Sequence, residues 1–296
     1  MRLFVLFFVA ASIWITPLYA DNSNCLLWEV QGENNRIFLL GSIHMMRAED
    51  YPLDSCVDSA YQQVDKLVVE LNTQAIDQNE MASKMALLGL LPAGEQLEQH
   101  LSPQTAKLLS QLKMLPMGYQ QMRPWYLALI LTLQGAAELD YRADLGVDYY
   151  LVNKAAGVKP ILALETLDQQ LAVLSGDTME QQDFALRLTL QQLPEMDDYI
   201  SAMNSSWRDG NAEEIYHMME EPKQVYPQLE GQFKRLVTER NQQMAKKIHA
   251  MLGDKEDYLV VVGGGHLGGD LGILKLLERQ GVELTQLPKI GRSMLY

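Results

Sequence analysis

The sequence predicts an α/β layered fold, a compact sheet core with a large helical cap or insertion. Three observations carry this. Short apolar runs bounded by turn residues recur at both ends of the chain and once near residues 159–165, as strands do. The segments between them place apolar residues at spacings of three and four, the period of amphipathic helices. The middle of the chain, 75–139 and again 167–252, is almost entirely of this helical kind. With 48% hydrophobic residues among 296, there is ample material to bury a core.

Taken in order, 26–30 and 36–40 flank the polar cluster Gln31-Gly32-Glu33-Asn34-Asn35 and read as an opening hairpin. Further strands are expected at 66–71, 159–164, 258–262 and 282–287. Helices are expected over 54–65, 77–91, 103–114, 124–139, 144–156, 177–193, 212–221 and 227–252, with a last one over 270–280. The most apolar of these, around 125–133, is too short to cross a bilayer and reads as core.

The first twenty residues have a different logic. Arg2 precedes an apolar run over 3–15, then Pro17 and Ala20 lead into the polar Asp21-Asn22-Ser23-Asn24. This is the pattern of a secretory signal peptide, cut after Ala20 to leave a single domain over 21–296 with no stable membrane span. The protein is therefore expected in the periplasm or outside the cell. In an oxidising compartment its two cysteines, Cys25 and Cys56, are expected to form a disulfide, with two unpaired buried thiols as the alternative. A dispersed net charge of −14 argues against nucleic acid and anionic lipid as partners.

The chemistry concentrates at strand ends. Phe38-Leu39-Leu40-Gly41-Ser42-Ile43-His44 and Val260-Val261-Val262-Gly263-Gly264-Gly265-His266 share one design, an apolar strand ending in Gly, two residues, then His. Ligands of open α/β sheets bind outside the carboxyl ends of strands, where a Gly lets the backbone turn sharply. A lone His is usually a packing or surface residue, but only five occur in the chain and two of them repeat this setting. His100, His217 and His249 lie in a loop or on helices. Two carboxylates complete the pattern, Glu70 after Val68-Val69 and Glu165 after Leu162-Ala163-Leu164. Either alone is as well explained as a solvent-facing residue. With the histidines they make a His₂Glu₂ set suited to a first-row divalent ion.

Gly263-x-Gly265-x-x-Gly268 matches the dinucleotide-binding fingerprint on paper, but only about thirty residues follow it and 282–287 does not end in the acid that holds a ribose. The backbone N–H groups of that loop could still hold an oxyanion or a substrate carboxylate. Asp144 and Asp148 lie at an expected helix start, where capping and dipole stabilisation account for them as well as catalysis does.

The paired Gly41-Ser42-Ile43-His44 and Gly263-Gly264-Gly265-His266-Leu267 resemble the hallmark segments of the TraB/PrgY/GumN family, which includes the Tiki proteases. The resemblance extends to Cys25-Leu26-Leu27-Trp28, Val69-Glu70, Asp144-Leu145-Gly146-Val147-Asp148, Glu165, Trp207 with Gly210, and Glu239-Arg240-Asn241. It implies an erythromycin-esterase/ChaN-like fold and, for the Tiki branch, metal-dependent proteolysis; a short exported form is closer to the bacterial GumN-like members. On this reading His44, His266 and Glu70 hold Mn²⁺, Co²⁺ or Zn²⁺, and Glu165 is a fourth ligand or a general base. Arg240 and Arg142, with the backbone at Gly41, Gly264 and Gly265, are the candidates for a substrate carboxylate or an oxyanion. For Arg240 an ordinary salt bridge on or near its own helix is the rival explanation. The substrate would be a peptide or small molecule. Two alternatives remain, a metal-free esterase-type hydrolase with a His general base, and a non-catalytic protein that binds haem, metal or a peptide.

Overall fold

In the computed structural model, which describes residues 24–289, the apolar runs pair into one six-stranded sheet in the order β4-β3-β5-β2-β1-β6. The leader lies outside the described residues. Strands β1 (Asn24–Gln31) and β2 (Arg36–Ser42) form the opening antiparallel hairpin, with Leu27 opposite Leu40 and Val30 opposite Ile37. Asn35 in its turn donates to the carbonyls of Met251 and Glu256, tying the hairpin to the chain's last third. Strands β3 (Lys66–Val69), β4 (Ile161–Ala163) and β5 (Tyr258–Gly263) run parallel with β2, and β6 (Leu284–Pro288) closes the far edge against β1. Every residue of β5 is buried, as expected of a parallel strand covered on both faces, and this is why YLVVVG reads as an unbroken apolar run.

Parallel pairing in this order puts the carboxyl ends of β2, β5, β3 and β4 side by side along one edge. The register decides the heights. Ser42 pairs with Gly263 and Val69 with Val261, so the residues that follow each strand emerge at nearly one level.

Helices α1 (Ser55–Gln62), α5 (Val147–Ala155), α11 (Glu239–Met251) and α12 (Ile273–Glu278) contribute buried apolar residues to the sheet core, among them Val57, Leu151, Ile248 and Leu277. The cap is built from α2 (Gln78–Gly89), α3 (Pro103–Leu109), α4 (Pro124–Glu138), α6 (Leu167–Ser175), α7 (Met179–Gln192), α8 (Met196–Arg208) and α9 (Ala212–Val225). A second core of Leu91, Leu97, Leu109, Leu127, Leu131, Leu186 and Leu190 holds α3, α4 and α7 together. No helix among the described residues is long and apolar enough to cross a membrane.

Three expected helices come out differently. The long one over 227–252 is continuous from Glu230 to Met251 but not uniform: α10 (Glu230–Phe233) runs through a π-helical turn, Lys234–Thr238, before α11 begins. The last, expected over 270–280, is only α12, because its N-cap Gly272 is extended, at φ −71° and ψ 158°. The third, expected over 103–114, stops as α3 at Leu109.

Cys25 of β1 and Cys56 of α1 are bonded across a separation of 31 residues. A closed loop of that size constrains the unfolded chain by about 4 kcal/mol. The Cys25→Ala/Cys56→Ala double variant should lose about that much stability in urea unfolding, and a reductant should then have no further effect on it. An unchanged unfolding midpoint would show that the bond does not restrain the chain.

Candidate active site at the carboxyl edge of the sheet

Each side chain at this edge has an identifiable support. His44 follows β2 and its carbonyl lies against Gly146, where a Cβ would collide with it; that close approach lets the Val147 N–H donate to Ile43 O at 2.9 Å. The first turn of α5 therefore reaches the loop, and Asp148 Oδ1 lies 3.1 Å from His44 Nδ1. Gly146 itself is the N-cap of α5, with no side-chain cap, and Asp144 pairs with Arg142, so neither Asp is a capping residue. Glu70 follows β3 directly. Its Oε1 accepts the Gly263 N–H at 2.6 Å and its Oε2 accepts from Arg240 Nη2 at 2.5 Å. Glu165 takes a two-pronged bond from the same guanidinium, Nε to Oε1 at 2.8 Å and Nη2 to Oε2 at 2.6 Å. Arg240 is thus in a salt bridge, but with the acids that follow the adjacent strands β3 and β4 and not with neighbours on its own helix.

His266 is gripped at both nitrogens by consecutive residues at the start of α11. Its Nδ1 lies 2.6 Å from Asn241 Oδ1, and its Nε2 accepts from Arg240 Nη1 at 3.1 Å. Asn241 donates its Nδ2 to Leu271 O at 2.9 Å, which turns its oxygen toward the ring and makes Nδ1 the protonated nitrogen. At His44 the Asp148 carboxylate can only accept, so Nδ1 is again the donor. Both histidines therefore present Nε2 to the interior of the cleft. The meeting point is Gly263: a Cβ built there would lie 3.4 Å from Glu70 Oε1, 3.5 Å from His44 Nε2 and 3.5 Å from His266 Cδ2. The four strand-end residues share one site.

Electrostatics divides the two imidazoles. Burial pushes His266 down to about 4, with Glu70 pulling the other way, so it is neutral at pH 7. At His44 desolvation is outweighed by the hydrogen bond and charge of Asp148, with help from Glu70, and its pKa rises to about 9. Its side chain is 64% exposed, so water screens that pair far more than the buried one. Burial works against the Glu70 carboxylate, but the His266 ring, Arg240 and the Gly263 N–H hold it down, to about 2. With His266 neutral, the cation that does most of this is Arg240.

Two imidazoles and a carboxylate are a donor set for a hydrolytic divalent ion, and Nδ1–H groups anchored by a carboxylate and an amide are the supports such ligands have. The donor chemistry fits. Among the described residues, however, no three His, Cys, Asp or Glu side chains are arranged to hold a metal ion, because Arg240 lies against Glu70, Glu165 and His266 at once. A cation at this point must first draw those groups off the guanidinium.

The remaining candidates have other partners. Arg142 is exposed, bonded to Asp144, and lines neither of the two cavities beside His44. Gly41 offers a carbonyl to Trp207 Nε1 at 2.8 Å, and a Cβ there would collide with Leu26. Gly264 and Gly265 line the larger cavity, with Met219 lying directly on Gly265. In the same loop Glu213 accepts the Gly269 N–H at 3.0 Å. Two contributors escape the sequence reading, Asp148 as the anchor of His44 and Asn241 as the anchor of His266. For Asn241 a signal exists, since it directly follows Arg240 and is fully buried on a helix face that otherwise carries Met244, Ala245 and Ile248.

These shifts have opposite consequences for stability. His266, whose folded value lies below its ordinary 6.5, contributes stability that is complete above about pH 6.5 and lost as pH falls towards 4; Glu70 extends the loss from 4.5 towards 2. His44, whose folded value is raised, contributes stability that is complete below 6.5 and lost as pH rises towards 9. The stability difference between wild type and Asp148→Asn should therefore be largest at or below pH 6.5 and shrink towards pH 9. Urea midpoints across that range measure it, and a difference that stays constant would remove His44 as the titrating group.

Among curated proteins, the chain is similar to the uncharacterized protein YbaP of Escherichia coli (strain K12), 27% identical over 260 residues that cover 83% of this chain and 89% of YbaP. The YbaP protein of Shigella flexneri matches with the same identity and coverage. The metalloprotease TIKI2 of Danio rerio is 23% identical over 328 residues, covering 92% of this chain and 62% of TIKI2. No solved structure matches. The TraB/PrgY/gumN family model matches residues 26–286, which takes in all six strands but the first two residues of β1 and the last two of β6, and the chain belongs to that family.

Proposed function

We propose that this protein is an exported, divalent-metal-dependent hydrolase acting on peptides, with His44 Nε2, His266 Nε2 and Glu70 as the ligands of Mn²⁺, Co²⁺ or Zn²⁺. The observation that carries this reading is the convergence of two imidazole rings, each with its Nδ1–H anchored, and a carboxylate: His44 Nε2, His266 Cδ2 and Glu70 Oε1 all lie within 3.5 Å of a Cβ built on Gly263. Similarity to a protein named as a metalloprotease supports the reaction class.

When bound, the ion would supply Lewis acidity toward a scissile carbonyl. The protein's own groups then divide the work. Glu70, held ionised well below neutral pH, is a poor proton acceptor and suits ligation. Glu165 is the remaining carboxylate at the edge and takes the proton from the attacking water. Arg240, fixed between the two acids, places positive charge where the oxyanion develops. Asn241 keeps His266 in the tautomer whose Nε2 lone pair faces Arg240, and Asp148 holds His44 through its Nδ1–H, so an ion would have to displace the guanidinium from the first ring and the Nε2 proton from the second.

One observation favours a second reading. Arg240 already supplies the positive charge among these acids, and Asp148 orients His44 as a general acid or base is oriented, so the same constellation could hydrolyse without a metal.

Metal analysis of the processed protein after equilibrium loading should find one divalent ion per chain, and His44→Ala and His266→Ala should lose both the ion and peptide cleavage. Absence of bound ion in the wild type, or cleavage by both variants at the wild-type rate, would overturn the proposal. Cleavage that survives exhaustive chelation would favour the metal-free reading. Among the supports, Asn241→Leu should weaken metal binding by about 10- to 100-fold, as loss of an anchoring hydrogen bond does; unaltered affinity would show that the anchor is not needed.

A further inference from the structure

His44 lies between two hollows. One, of about 310 Å³, is lined by Glu70 and Arg240 together with apolar side chains that include Val152, Val173 and Leu236. The other, of about 510 Å³, opens on Gly263–His266 and is walled by the cap helices α4, α7, α8 and α9. His44 and Ser42 line both. A molecule cut at this centre must send one part to each side. A small ester with one apolar arm leaves a hollow empty, whereas an extended peptide can fill both.

The larger cavity has a distinct chemistry. Five methionines, 45, 196, 203, 218 and 219, line it, and thioether chains adapt their shape to what they enclose. Its charged lining residues are the exposed Glu195 and Glu221, apart from the histidines, so the rim repels a carboxylate or phosphate headgroup. One polar residue stands out. The inward stripe of α8 is Ile200, Met203, Asn204 and Trp207, and Asn204, 2% exposed, faces this cavity with a side-chain amide that hydrogen-bonds to no described residue; its Oδ1 is fully buried and unpartnered. Burying an amide unpaired is unfavourable unless something else completes it.

We propose that the larger cavity is the side-chain subsite for a peptide laid across His44, and that it selects a long, largely apolar residue with a hydrogen-bonding tip, tyrosine above all. This rests on the peptidase reading of the site. The tyrosine ring is accommodated by the methionines, and its hydroxyl, which both donates and accepts, completes the Asn204 amide in whichever sense the amide is turned.

The test separates binding from catalysis. Fluorescently labelled hexapeptides, capped at both ends and identical but for one central Tyr, Phe or Ala, are titrated into the full mature chain carrying His44→Ala, with anisotropy as the readout. The Tyr peptide should bind about fivefold more tightly than Phe, the difference one hydrogen bond makes, and Ala weakest. Asn204→Leu, an apolar replacement of similar size, should erase the Tyr preference while keeping Phe binding, and Met203→Trp should weaken Tyr and Phe alike by filling the cavity. Equal binding of all three peptides, no binding of any, or a Tyr preference that survives Asn204→Leu would overturn the proposal. Selective binding without cleavage by the wild type would overturn the peptidase reading and leave the subsite standing; cleavage without selectivity would do the reverse.

Discussion

The guanidinium of Arg240 is the constraint around which the carboxyl edge is organised. Parallel pairing of β3 and β4 brings Glu70 and Glu165 so close that the Glu165 N–H donates to Glu70 O at 2.8 Å. Their side chains are 12% and 9% exposed, and two carboxylates this buried and this near repel each other unless a cation lies between them. Arg240 meets that need with two nitrogens, Nε and Nη2, and its Nη1 fixes the lone pair of His266. The π-helical turn immediately before α11 belongs to the same solution. It inserts an offset into the helix, after which successive residues, Arg240 and Asn241, reach opposite nitrogens of one ring.

Much of this edge was legible in the sequence because it obeys local rules. A buried parallel strand must read as an apolar run, and a sharp exit from it wants Gly, so the positions of His44, His266, Glu70 and Glu165 could be read as strand ends before any contact was known. The order β4-β3-β5-β2 could not, since it depends on which strands pair across two hundred residues. The supports of the histidines were hidden for a different reason. Asp148 occupies the first turn of a helix, where an acid already has a local explanation, and its actual partner is the loop after β2. The π-helical turn at 234–238 left no mark because the apolar spacing on either side tolerates a one-residue slip. Asn204 was masked by its company, a single amide in a stripe of Ile, Met and Trp.

The loop carrying His44 is also tied to the cap. Arg47, three residues on, stacks 4.0 Å over Tyr141, donates to Leu139 O at 3.0 Å and pairs with Asp197 of α8 at 2.5 Å. Trp207, at the other end of α8, bonds Gly41 in β2. Helix α8 is thus both a wall of the larger cavity and a strut against the strand that delivers His44, which makes the position of that imidazole sensitive to how the cavity is filled.

The sheet core and the leucine core of α3, α4 and α7 have no buried residue in common. Substitutions within the leucine core of α3, α4 and α7 are therefore absorbed there, while α8 and α9, whose Trp207, Ala212 and Ile215 pack in the sheet core, are the part of the cap that the strands feel. A lineage built on this chain has an inheritable division of labour, in which the chemistry stays fixed and the molecule it is applied to is free to drift.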